Sequence, residues 1–195
     1  MALEPPPGVH RLSLNENLFL PRELVTEVVE EAARLVDPRF YRSAYGEELA
    51  ERLADFHGVE RGEIVVGAGA DDLIYLAAHF GRERGALTVE PTFEEYARAL
   101  RLFGAPHIKV LLDDEFRLRP EAVAGVEAGL LYMASPNNPT ANQFDRDAVL
   151  EVVDRFKGIV VLDEAYAEYG RYSLLQVAPS RCLLRLTPPT RTSFF

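Results

Sequence analysis

Beyond Gly58 the chain alternates short apolar runs with longer segments of mixed polarity, and this rhythm leaves few architectures open. Ile64-Val65-Val66, Leu87-Thr88-Val89, Ile108 to Leu112, Gly129 to Ala134 and Ile159 to Leu162 each read as a short strand. Between them, Asp71 to about Phe80, Phe93 to about Phe103, a segment starting near Pro120, and Arg146 to Phe156 read as amphipathic helices. Apolar strands without polar alternation need cover on both faces, and intervening helices provide it. The expectation is an α/β fold of three layers with a mainly parallel sheet. Upstream, Pro21 opens a helix whose Leu24, Val28, Val29, Ala32, Ala33 and Val36 share one face, and a second helix follows Gly46. Residues 1–20 form an N-terminal arm containing Pro5-Pro6-Pro7-Gly8, residues 21–170 a domain, and residues 171–195 a tail of different character.

Composition removes several function classes. The formal net charge of −10 is the wrong sign for an electrostatic nucleic-acid binder or for docking on anionic membranes. One cysteine and four scattered histidines give no metal-ligand spacing, so no metal is expected. No apolar run reaches membrane-spanning length and the start lacks a signal-peptide stretch, so the expectation is a cytoplasmic protein. The basic side is almost all arginine: Lys109 and Lys157 are the two lysines, which limits any chemistry that needs an amine.

In parallel α/β sheets ligands bind beyond the carboxyl ends of the strands, so the residues after each strand matter most. Gly67-Ala68-Gly69-Ala70-Asp71-Asp72 opens a helix whose free N–H groups suit a phosphate; an ordinary turn capped by Asp71 uses the same residues. Phe93, at the head of the next helix, suits stacking on a flat ring or plain core packing. Ser135-Pro136-Asn137-Asn138-Pro139-Thr140 holds two amides between two prolines and presents Asn138 towards the strand ends. In Asp163-Glu164-Ala165-Tyr166, Asp163 ends a buried run, where a carboxylate either caps a helix or meets a positive partner such as a protonated heterocyclic nitrogen.

These four motifs, in this order from about Leu12 to Tyr169, resemble the fold-type I pyridoxal-phosphate (PLP) aminotransferases, and within them the histidinol-phosphate branch. The resemblance implies a PLP-transferase large domain, incomplete at its C-terminus and without a small domain. It implies that Ala70 and Asp71 hold the cofactor phosphate, that Phe93 stacks on the ring, and that Asn138 and Tyr166 bond its phenolic oxygen. It also implies that Asp163 keeps the ring nitrogen protonated, that Tyr41 reaches the phosphate of the other subunit in a homodimer, and that Asn15 and Asn17 lie near the substrate. Catalytic roles would thus fall to Asp163, Tyr166 and Asn138. The family more often has a polar residue at position 68, glutamate at 72, glycine at 141 and proline at 42 than the Ala68, Asp72, Ala141 and Arg42 found here.

The reaction so implied is amino-group transfer between an amino acid or histidinol phosphate and a 2-oxo acid. A same-fold decarboxylase or lyase, or a non-catalytic PLP-binding or dimerisation fragment, are the alternatives. The family's cofactor-binding lysine lies downstream of the DEAY motif, and no lysine follows Lys157. Lys157 precedes the fifth strand and Lys109 is near the start of the third, so both are expected at the opposite edge of the sheet. No acid follows Glu168, and Thr187-Pro188-Pro189-Thr190 suits neither helix nor strand. The expectation is a shortened or frame-shifted product, inactive alone, in which Leu183-Leu184-Arg185 is a remnant of one more strand.

Overall fold

The structure, a computed structural model, describes residues 8–9, 15, 20–37, 39–40, 46–175 and 183–186. It divides into two compact units, one of residues 1–45 with 192–195 and one of residues 46–191. In the first unit, α1 (Arg22–Leu35) follows Pro21 and buries no residue; Leu24, Val28 and Val29 are all exposed.

The second unit holds α2 (Glu47–His57), α3 (Ala70–Ala78), β1 (Ala86–Glu90), α4 (Glu94–Leu102), β2 (His107–Leu111), α5 (Pro120–Ala124), β3 (Leu130–Ala134), α6 (Arg146–Arg155), β4 (Ile159–Asp163) and β5 (Leu183–Leu186). Its five strands are all parallel, in the order β2-β1-β3-β4-β5. Strand parity sorts the core into two layers. Leu87, Val89, Leu131, Met133, Val160 and Leu162 pack with Val123 of α5 and Val149, Val152 and Val153 of α6. Ala86, Leu130, Tyr132, Ala134 and Val161 face the other way, against Ile74 and Ala77 of α3 and Tyr96, Ala99 and Leu100 of α4. Each fully buried large apolar side chain contributes about 1.5–3 kcal/mol. No helix among the described residues is long and apolar enough to cross a membrane.

Four of the five expected strands form, and the Leu183-Leu184-Arg185 remnant is β5, paired with β4 from Val160↔Leu183 to Asp163↔Leu186. Ile64-Val65-Val66 does not form a strand: the segment lies between a short 3₁₀ turn and Gly67, and Val65 is 69 % exposed. Apolar, β-branched residues favour extended backbone, but a strand also needs a hydrogen-bonding neighbour, and none of the described strands is one.

Candidate cofactor site at the strand carboxyl ends

After β1 the chain passes to β2 on one side, then crosses back to β3 on the other. The carboxyl ends of β1 and β3 are therefore the topological switch point of the sheet, where a crevice opens in folds of this type. The loops that leave those ends are tied together by Asn137. Its amide donates to the Pro91 carbonyl at 2.9 Å and to Thr140 Oγ1 at 2.8 Å, and its Oδ1 accepts from Thr92 Oγ1 at 3.2 Å. Thr140 Oγ1 in turn donates to Asn142 Oδ1. Asn137 is buried, whereas Asn138 is half-buried and its amide bonds no described residue. The wiring amide is thus the residue before the one the sequence singled out, and Asn138 is left available. Ala141 closes this loop at φ +58°, a left-handed conformation that costs any residue with a Cβ. That explains why glycine suits this position.

One strand over, Asp163 ends β4 and is 7 % exposed. By parity with Val161 it faces the α3 and α4 layer. Its Oδ2 accepts the Tyr96 hydroxyl at 2.7 Å and its Oδ1 the Ala165 N–H at 2.9 Å. Tyr96 stacks on Tyr132 with centroids 4.8 Å apart and planes 1° from parallel. Phe93, which precedes α4 and is half-buried, meets Tyr96 edge-on at 5.7 Å. Tyr132 donates to the Ile74 carbonyl of α3 at 2.6 Å. Burial pushes the Asp163 carboxyl above the ordinary range; the Tyr96 and Ala165 hydrogen bonds oppose this and the charge of Asp71 adds to it. Asp71 therefore lies within electrostatic reach of Asp163. Burial also pushes the Tyr96 phenol far above its ordinary value, with Asp163, Tyr132 and Tyr166 adding to the effect.

Helix α3 begins on Gly69, at φ +89°, with open space where a Cβ would stand. Asp72 Oδ2 accepts the Ala68 N–H at 3.1 Å and tightens the turn, while the N–H groups of Ala70 and Asp71 belong to the first helical turn, which has no internal acceptor. Asp71 is exposed and Tyr166 half-buried. Asn15 is exposed at φ +51° in the other compact unit; Asn17 and Tyr41 lie outside the described residues.

Neither lysine stands here. Lys157 is exposed at the amino end of β4, as expected. Lys109 is not near the strand start: it is the middle residue of β2, opposite Thr88, and its Nζ reaches Glu90 Oε1 at 3.9 Å. Register, rather than the apolar pattern, sets that position. Among the described residues no cluster of His, Cys, Asp or Glu could hold a metal ion. A cavity of about 450 Å³ opens between α3, the Ile64–Val65 segment and β5, lined by Leu73, Leu76, Leu184 and Leu186. It borders the acid's layer without including Asp163, and its walls are mainly apolar, with His57, Glu63 and Arg185 also on the lining.

The residues that sequence reasoning missed are Tyr96, Tyr132, Asn137 and Thr92. Tyr96 carried one signal: it lies three positions after Phe93, the only hydroxyl-bearing residue on a buried helical face with Ala99 and Leu100.

A buried acid and a helix start at the carboxyl edge of a parallel sheet are the arrangement on which open α/β folds build ligand sites, and the comparisons give the family. Residues 7–190 match the family described as aminotransferase class I and II. The chain belongs to that family. It is 34 % identical over 173 residues to the histidinol-phosphate aminotransferase of Pyrococcus furiosus, covering 86 % of this chain and 51 % of that protein. To the enzyme of the same name from Thermococcus gammatolerans it is 37 % identical over 182 residues, 90 % of this chain and 53 % of that one. The crystal structure of histidinol-phosphate aminotransferase from Sinorhizobium meliloti in complex with pyridoxal-5'-phosphate matches with a TM-score of 0.70 at 27 % identity, over 88 % of this chain and 46 % of that one. A Thermus thermophilus aspartate aminotransferase mutant shares the fold at a TM-score of 0.74 and 22 % identity, over 85 % and 51 % of the two chains. The chain spans about half the length of the curated relatives it matches.

Proposed function

We propose that this chain forms the cofactor pocket of a PLP-dependent aminotransferase that moves an amino group between an amino acid, histidinol phosphate in the first instance, and a 2-oxo acid. One observation carries the reading. Asp163 is a buried carboxylate whose partners are a phenol and a peptide N–H, with no cation among the described groups that act on it. A buried carboxylate is stable only when something offsets its lost hydration. A protonated ring nitrogen is a flat, cationic partner of the right kind, and Phe93, at the mouth of the same cluster, is a suitable aromatic neighbour for the ring.

The other residues fit the rest of the group. The N–H groups of Ala70 and Asp71, at the positive end of α3, would hold the phosphate. Asn138 has its amide available for the ring's phenolic oxygen, and Tyr166 would share that contact. PLP, when bound, supplies a sink for the electron pair left when a proton leaves the carbon beside the substrate's amino group. Asp163 deepens that sink by keeping the ring nitrogen protonated; loss of such a charge pair costs several kcal/mol, about two to three orders of magnitude in rate. With Lys157 at the far end of β4 and Lys109 held at Glu90, this chain would hold PLP reversibly rather than covalently. The same reading makes the whole protein a cytoplasmic homodimer, with Asn15, Asn17 and Tyr41 contributing from the N-terminal region.

Adding PLP to the purified chain and recording its absorbance before and after borohydride tests this. The expected result is saturable binding that dialysis reverses, that Asp163→Ala abolishes, and that leaves no PLP-modified lysine. Binding indifferent to Asp163→Ala, or PLP fixed by borohydride to Lys109 or Lys157, would contradict it.

A further inference from the structure

We infer that Tyr96 is a positioning residue, whose hydroxyl fixes the Asp163 carboxylate for a cationic ring nitrogen; this rests on the PLP reading above. The Asp163 carboxylate takes one hydrogen bond on each oxygen, from Tyr96 at 2.7 Å and from the Ala165 N–H at 2.9 Å. Two donors from different elements, α4 and the turn after β4, prevent the carboxylate from turning about its last bond. The ordinary broad freedom of that torsion is removed. The 2.7 Å contact is short, as phenol–carboxylate bonds are, and its strength is that of a charge-assisted bond.

Tyr96 is itself held. It is completely buried, stacked on Tyr132 and met edge-on by Phe93, and Tyr132 is fastened by its own hydroxyl to the Ile74 carbonyl of α3. A line of contacts thus runs from the helix that starts at Gly69, through Tyr132 and Tyr96, to the acid. The spacing between phosphate cradle and acid is therefore set by packed side chains rather than by a loop. The groups that act on Asp163 are Tyr96 from α4, the Ala165 N–H from the turn after β4 and Asp71 from α3, with Tyr132 of β3 and Tyr166 one step away through Tyr96. Glu164, next in sequence, faces the opposite layer with Arg185. Of these, Tyr96 and the Ala165 N–H favour the ionised form of the acid, Tyr96 being the side chain that does so, and its high phenol pKa keeps it a donor throughout the working pH range.

The test uses the full chain with carbon-13-labelled aspartate, following the Asp163 carboxyl by NMR, with assignment from Asp163→Asn. Tyr96→Phe keeps the ring and removes the donor. Its expected effects are a higher Asp163 titration midpoint without PLP, and a roughly ten-fold weaker PLP affinity at neutral pH. With PLP labelled at the ring nitrogen, the nitrogen-15 signal should move from the pyridinium towards the pyridine position. Replacing Tyr96 by 3-fluorotyrosine preserves the packing and strengthens the donor, so the midpoint should fall; this arm decides the matter if Tyr96→Phe folds poorly. A midpoint unmoved by the fluorinated residue overturns the inference. A midpoint that moves as expected in a chain that binds no PLP sinks the function proposed above, and with it Tyr96's role towards a cofactor.

Discussion

Strand β4 meets β3 inside a core that is packed on both faces, whereas its contact with β5 has an apolar cavity on one face and a buried ion pair on the other. On the β3 side the backbone itself is close-packed. A Cβ on Gly158 would come within 2.6 Å of the Gly129 carbonyl and 2.7 Å of that of Ala128, so no side chain fits where β4 begins. On the β5 side Arg185 Nε lies 3.3 Å from Glu164 Oε2, both side chains almost fully buried. Ser173 Oγ and the Leu174 N–H complete the coordination of that carboxylate at 2.8 and 2.9 Å. The difference is between a flank held by shape and one held by charge. Asp163 sits at the seam, with its strand fixed by the first and its neighbour Glu164 by the second.

The largest expected effect is on the charged flank. Arg185→Met leaves Glu164 buried without its cation, and removing one partner of such a pair costs about 3–5 kcal/mol. Burial already raises the Glu164 pKa, with Arg185 opposing, so losing Arg185 raises it further. A carboxyl whose folded-state pKa is raised loses stability as pH climbs through that pKa. The deficit in urea midpoint should therefore be large at neutral pH and shrink as the pH falls into the carboxylate range. A small deficit independent of pH would show that apolar contact, not charge, holds β5. On the packed flank, Gly158→Ala should cost about 1–3 kcal/mol at every pH, because the clash is with backbone and not with a flexible side chain. A pH-dependent loss there would erase the contrast. The smallest effect belongs to the loop at the switch point: Ala141→Gly relieves the left-handed backbone and should add about 1 kcal/mol, about 2–4 °C in Tm.

Much of the fold was legible because strands β1 to β4 are short, mostly apolar and bounded by turns, and the helices keep a clear 3.6-residue period. Ile64-Val65-Val66 carries the same local signal and forms no strand, because pairing is a property of two segments and the pattern reports only one. The site divides in a similar way. Asp163 was visible as an acid at the end of a buried run, a local anomaly. Tyr96 was less so, since its partner is 67 residues away and its one local signal, a hydroxyl on a buried helical face, does not name that partner. Asn137 and Asn138 look alike between their prolines, and only the folded loops reveal which amide bridges to Pro91 and which stays available. The tail is a mixed case. Its lack of acids is plain in the sequence, yet Leu174 and Leu186 are buried and Arg185 pairs with Glu164.

The central claim is that the acid at the end of β4 and the start of α3 grip opposite ends of one small molecule. A crystal structure of the chain grown with PLP measures this directly. The account predicts the ring nitrogen within hydrogen-bond distance of an Asp163 carboxylate oxygen and the phosphate on the N–H groups of Ala70 and Asp71. PLP ordered in the apolar cavity beside β5, or bound at the α3 turn with its ring nitrogen turned away from Asp163, would contradict it.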